Sequence, residues 1–126
     1  MALWLNILFF VCIIIVPVIS MAAGYIMFKK PPKEINDTVG YRTKRSKASQ
    51  EAWDFANKYC GKNTLISGII MLVASTAVFC FLCSGKSTKE MLITTLIIMA
   101  VQVALLVLVM AVPTEMKLKK LFDKGE

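Results

Sequence analysis

The chain contains no histidine. That removes the commonest general acid-base group and one of the two side chains from which structural zinc sites are built. Charge is also missing where transport chemistry would need it. Met1 to Phe28, Thr64 to Cys83 and Met91 to Val112 contain no Asp, Glu, Lys or Arg, whereas proton relays and ion-coupled carriers place such groups inside the membrane. These absences argue against an enzyme and against an ion pump, and they call for no metal and no cofactor. The four cysteines do not reverse this. Cys80 and Cys83 form a lone CxxC, one turn apart within an apolar stretch, and Cys12 and Cys60 sit in other apolar settings. All four read as small packing residues.

What is present is hydrophobicity. Apolar residues make up 57% of the chain and the mean hydropathy is +0.67, above the share of an ordinary soluble domain. A membrane-spanning helix needs about 20 mainly apolar residues to cross about 30 Å of hydrocarbon, and the three uncharged segments meet that length. Barrel strands would instead be runs of about 10 residues with alternating polarity. The expected fold is therefore an all-α integral membrane protein: one domain over residues 1–126, with spans at about 3–28, 64–83 and 91–112 and one cytoplasmic amphipathic helix at about 50–60. The first segment is expected to be retained rather than cleaved as a signal peptide. No Lys or Arg precedes it, and its apolar run exceeds the 7–15 residues of a signal peptide's core.

Orientation follows from the cationic residues, which concentrate in cytoplasmic loops. Of the 15 Lys and Arg, only Lys86 and Lys89 lie in the second turn; the rest fall in the first loop (Lys29 to Lys62) or the tail (Lys117 to Lys124). The expected topology has the N-terminus outside and the first loop and C-terminus in the cytoplasm. The net charge of +7 is explained by this rule, so direct nucleic-acid binding is not expected. The Arg42, Lys44, Arg45, Lys47 cluster would attract anionic headgroups or an acidic protein.

Inside the spans, the strongest polar groups are Asn6 and Gln102. Gln102 falls near the middle of the third span, where an amide facing lipid is costly, so it is expected to bond to another helix or to its own backbone. Ser20 and Gly24 in the first span, and Thr76, Cys80 and Ser84 in the second, have the small-xxx-small spacing that lets helices approach closely. That spacing points to a packed bundle or a homo-oligomer. Pro17 is expected to bend the first helix.

The loop holds the most information. Lys29-Lys30-Pro31-Pro32 ends the first helix, and Asn36-Asp37-Thr38-Val39-Gly40 reads as turn chemistry. From Gln50 to Cys60 the pattern becomes amphipathic. At 100° per residue Trp53, Cys60, Ala56, Ala52, Tyr59 and Phe55 fill an arc of about 160°, and Gln50, Glu51, Asp54, Asn57 and Lys58 lie opposite. Ser49 is placed to cap this helix, and Gly61 with Lys58 and Lys62 to end it. Its aromatic face is expected to dock on the mouth of the bundle, leaving the mixed-charge face for solvent or a partner.

Asn36, then Gly40-Tyr41-Arg42-Thr43, then Trp53, Asn57 and Gly61 resemble the signature of the SdpI family. These are bacterial membrane proteins named for the immunity protein against a sporulation-delay toxin. The pattern of one span before the motif and two after it extends the resemblance over nearly the whole chain, which is similar to the family's short form. The resemblance implies toxin immunity in the bacterial cytoplasmic membrane, with a peptide toxin as partner, and for the namesake also capture of a cytoplasmic repressor at the membrane. It marks Asn36, Gly40, Tyr41, Arg42, Thr43, Trp53, Asn57 and Gly61 as motif positions. The physical roles expected are a tight turn at Gly40, a carboxylate or phosphate partner for Arg42, and contact between Trp53 and Asn57 at i and i+4. Two function classes compete: a non-enzymatic binding protein, and a small transporter or flippase-like subunit exporting a peptide or lipid. The scarcity of polar groups in the spans favours the first.

Overall fold

The computed structural model describes residues 2–82 and 85–122. Cys83 of the CxxC, Ser84 of the small-residue series and Lys124 of the tail lie outside the described residues. Among those described there is no strand, and three helices follow in order: α1 (Leu3–Lys29), α2 (Gln50–Leu82) and α3 (Thr88–Phe122). Each is long and apolar enough to cross a membrane. α1 stops where Pro31 and Pro32 remove two consecutive backbone donors. α3 starts with a capping box, in which Glu90 Oε2 accepts from the Ser87 N–H at 2.9 Å and the Glu90 N–H donates to Ser87 Oγ at 3.2 Å.

The expectation of a separate amphipathic helix is corrected. Residues 50–60 are helical, and Ser49 caps them by accepting the Ala52 N–H at 3.0 Å, but the helix runs on without a break to Leu82. Gly61 does not end it. A Cβ there would strike the backbone of Met27 and Phe28, so Gly61 is the point at which α1 and α2 touch. Helix propensity alone costs a mid-helix glycine about 1 kcal/mol; close backbone approach across the interface offsets that. The third helix also outruns the span expected to end at about residue 112. Pro113 lies inside α3, which extends to Phe122.

α1 packs most extensively against α2, antiparallel, through small residues. Cβ atoms built on Gly24 and Gly68 would collide with backbone of the opposite helix, and Ser20 Oγ donates to Thr64 O at 2.9 Å. Lipid tails are as apolar as leucine, so close packing and interhelical hydrogen bonds must hold such helices together. Ser20 and Gly24 thus serve the interface, whereas Thr76 bonds its own helix at Leu72 O and Cys80 is exposed. α3 is tied to both partners by Gln102, whose Nε2 donates to Ile13 O at 3.0 Å and to Ser75 Oγ at 2.6 Å.

Candidate functional site

The buried apolar cluster lies at the loop end of the bundle rather than halfway along the spans. It joins Tyr41, Ala52, Ala56, Cys60 and Leu118. The loop between α1 and α2 folds onto this cluster, and the family-like residues are what hold it there.

Gly40 has φ +100°, and a Cβ on it would overlap Asn57 Oδ1 and crowd Pro32. Both constraints demand glycine. The tight turn brings Tyr41 over α2, where its backbone N–H donates to Asn57 Oδ1 at 2.6 Å. Asn57 Nδ2 donates to Trp53 O at 3.0 Å and, more weakly at 3.5 Å, to Tyr41 O. A single side-chain amide therefore pins the loop backbone to the helix. Asn57 is fully buried, which corrects its placement on the polar face. Helical geometry puts it one turn from Trp53, at the edge of the polar arc, and the returning loop covers that edge as well.

Trp53 is also fully buried, and its indole N–H donates to Pro32 O at 2.8 Å. This fixes the start of the loop. Tyr41 reaches the other way, to α3. Its hydroxyl donates to Glu115 Oε1 at 2.7 Å and lies 3.4 Å from Ala111 O, and burial together with Glu115 pushes the phenol well above its ordinary pKa. Arg45 pairs with the second oxygen, Glu115 Oε2, at 3.2 Å. Ser46, fully buried, accepts the Thr43 N–H at 2.8 Å, and its hydroxyl lies within bonding distance of Tyr41 O and Thr43 O.

The outer part of the loop is held by short-range contacts. Asn36 Oδ1 accepts the N–H groups of Thr38 at 2.9 Å and Val39 at 2.7 Å, the side-chain turn expected of asparagine. Arg42 is exposed and its guanidinium donates to Asp37 O. The carboxylate pairs belong instead to Arg45 with Glu115 and to Lys47 with Asp37 at 2.6 Å. The Lys47 ammonium holds the Asp37 carboxyl below the usual carboxylate range.

Of the residues singled out in the sequence, Gly40, Tyr41, Thr43, Trp53 and Asn57 come together in this knot; Asn36 and Arg42 lie on its outer rim, and Gly61 belongs to the α1–α2 contact. Asn6 and Gln102 sit far from it, within α1 and α3. Asn6 Oδ1 and Gln102 Oε1 are buried without a partner among the described residues. The residues missed are Ser46 and Glu115; Arg45, expected only as part of a cationic cluster, is drawn into the knot by Glu115. Glu115 carried a signal, as an isolated carboxylate just past an uncharged run and among lysines. Among the described residues no group of His, Cys, Asp or Glu is arranged to hold a metal ion.

A family model described as the SdpI/YfhL protein family matches residues 33–113. An uncharacterized protein YfhL of Bacillus subtilis (strain 168) is 38% identical over 53 residues, which is 42% of this chain and 48% of that protein. The match thus spans about half the length of this curated relative. No solved structure matches the chain significantly.

Proposed function

The chain belongs to the SdpI/YfhL family of membrane proteins, and from that premise we propose that it is a non-enzymatic immunity factor protecting a bacterial cell against a secreted peptide toxin. The observation that best supports this reading is the pinned loop. Trp53, Asn57 and Tyr41 spend their hydrogen-bonding groups on holding Pro32 to Ser46 against α2 and α3. A loop fixed in this way presents its rim, with Asn36, Arg42 and the exposed start of α2, as a preformed recognition surface. Preformed surfaces bind with less ordering cost than mobile ones.

In the orientation favoured by the lysines and arginines, this rim faces the cytoplasm. It would then also suit capture of a cytoplasmic regulator at the membrane. Expression in a toxin-sensitive bacterium tests the proposal, with variants compared at matched membrane abundance. Arg42→Lys keeps the charge, loses the planar fork and should reduce protection, while Lys44→Ala should leave it intact. Full protection by Arg42→Lys would remove the rim from the mechanism. Energy-dependent loss of cell-associated toxin would favour the exporter.

A further inference from the structure

Beside the knot, at the loop end of the helices, are two shallow hollows with one residue in common. The first, about 250 Å³, is lined by Phe28, Phe55, Lys58, Tyr59 and Lys62. The second, about 330 Å³, is lined by Tyr59, Pro113, Met116, Lys117 and Lys120. They share the Tyr59 ring, and no acidic side chain lines either among the described residues. We propose that these paired hollows form a binding site for an anionic phospholipid, its phosphate held between the lysines of α2 and α3 and its glycerol and upper acyl chains on the aromatic floor.

Three observations converge on that occupant. The first is charge. Lys58 and Lys62 are four residues apart and Lys117 and Lys120 three apart, so each pair shares one helix face, and Tyr59 lines the hollow of each pair. None of the four forms an ion pair among the described residues, whereas Glu115, the nearest carboxylate in sequence to the α3 pair, is engaged by Tyr41 and Arg45.

The second is the floor. Phe55 and Tyr59 stack at 5.4 Å, and the Lys58 ammonium sits 5.7 Å over the Phe28 ring. Apolar stems and rings with charged tips at the edge suit the boundary between headgroups and hydrocarbon. The third is depth. Phe28 is the last residue of the uncharged run of α1, and Pro113 directly follows that of α3, so the hollows fall at headgroup level. A soluble anion would gain nothing from the aromatic floor, but a lipid engages both parts.

The test uses the purified full chain in detergent with equal phosphatidylglycerol and phosphatidylcholine, and lipid adducts counted by native mass spectrometry. Phosphatidylglycerol should be retained over phosphatidylcholine. Because each cation near an anionic surface contributes on the order of 1 kcal/mol, Lys62→Gln should weaken retention about fivefold and Lys62→Gln with Lys120→Gln by roughly a further fivefold. Lys33→Gln with Lys44→Gln removes the same charge from the exposed loop and should change little. The four positions substituted are exposed, so none of the variants disturbs the core. Equal retention of both lipids, an equal loss in the loop control, or displacement of the lipid by inorganic phosphate would each overturn the proposal.

Discussion

At the scale of single residues, the loop depends on side chains with no redundancy. Gly40 has the sharpest requirement: alanine there would combine an unfavourable positive φ with overlap onto Asn57 Oδ1. Gly40→Ala is expected to cost about 1–3 kcal/mol, read as a lower midpoint of thermal unfolding in detergent; an unchanged midpoint would mean the turn adapts freely. Tyr41 and Glu115 form the second critical pair. The bond is assisted by the carboxylate's charge and is partly buried, so a double-mutant cycle of Tyr41→Phe and Glu115→Ala should return a coupling of about 1–2 kcal/mol. Simple additivity of the two substitutions would show that the hydroxyl contributes nothing through Glu115.

At the scale of elements, α1 and α2 are joined by backbone proximity and α3 by polar side chains. The distinction predicts different responses. Gln102→Leu removes both bonds from α3 and should weaken its association by about 1 kcal/mol. The check is the rate at which a protease nicks the 85–87 turn in detergent, which should rise as α3 loosens. Gly61→Leu should do more, because the leucine would meet α1 backbone that has no rotamer by which to move aside. The continuity of α2 has a related cause. Gly61, Thr64 and Gly68 are buried on one side of the helix, and the α1 interface they make runs through the boundary at which a separate surface helix was expected to stop.

At the scale of the whole molecule, the cationic ends of the three helices define one charged rim. Lys29, Lys58, Lys62, Lys117 and Lys120 lie at the loop end, with Lys86 and Lys89 at the other. The proposed topology places the richer end inside the cell. In a background without the native cysteines, a membrane-impermeant thiol reagent applied to intact cells should label Ser87→Cys and leave Lys44→Cys unlabelled. Labelling of the latter from outside would invert the orientation, and with it the side on which the recognition surface and lipid site are proposed to act.

Much of this architecture is legible in the sequence. Long uncharged runs have only one stable solution in hydrocarbon, the helix that satisfies its own backbone, so the three membrane-length helices and the end of α1 at Pro31-Pro32 follow from composition and local chemistry. The positions of the motif were legible too. Their division of labour was not, because it depends on contacts between residues far apart in the chain. Helical periodicity places Asn57 on the polar side; only the loop folding back from Gly40 makes that side an interior. No spacing rule connects Tyr41 to Glu115, which lies 74 residues later, or Gly61 to Phe28. Local sequence determines which segments are helical and which prefer lipid. Tertiary structure decided that Gly61 would be a contact rather than a terminus and that one buried amide would hold the loop, since burial is a property of the neighbours a residue acquires.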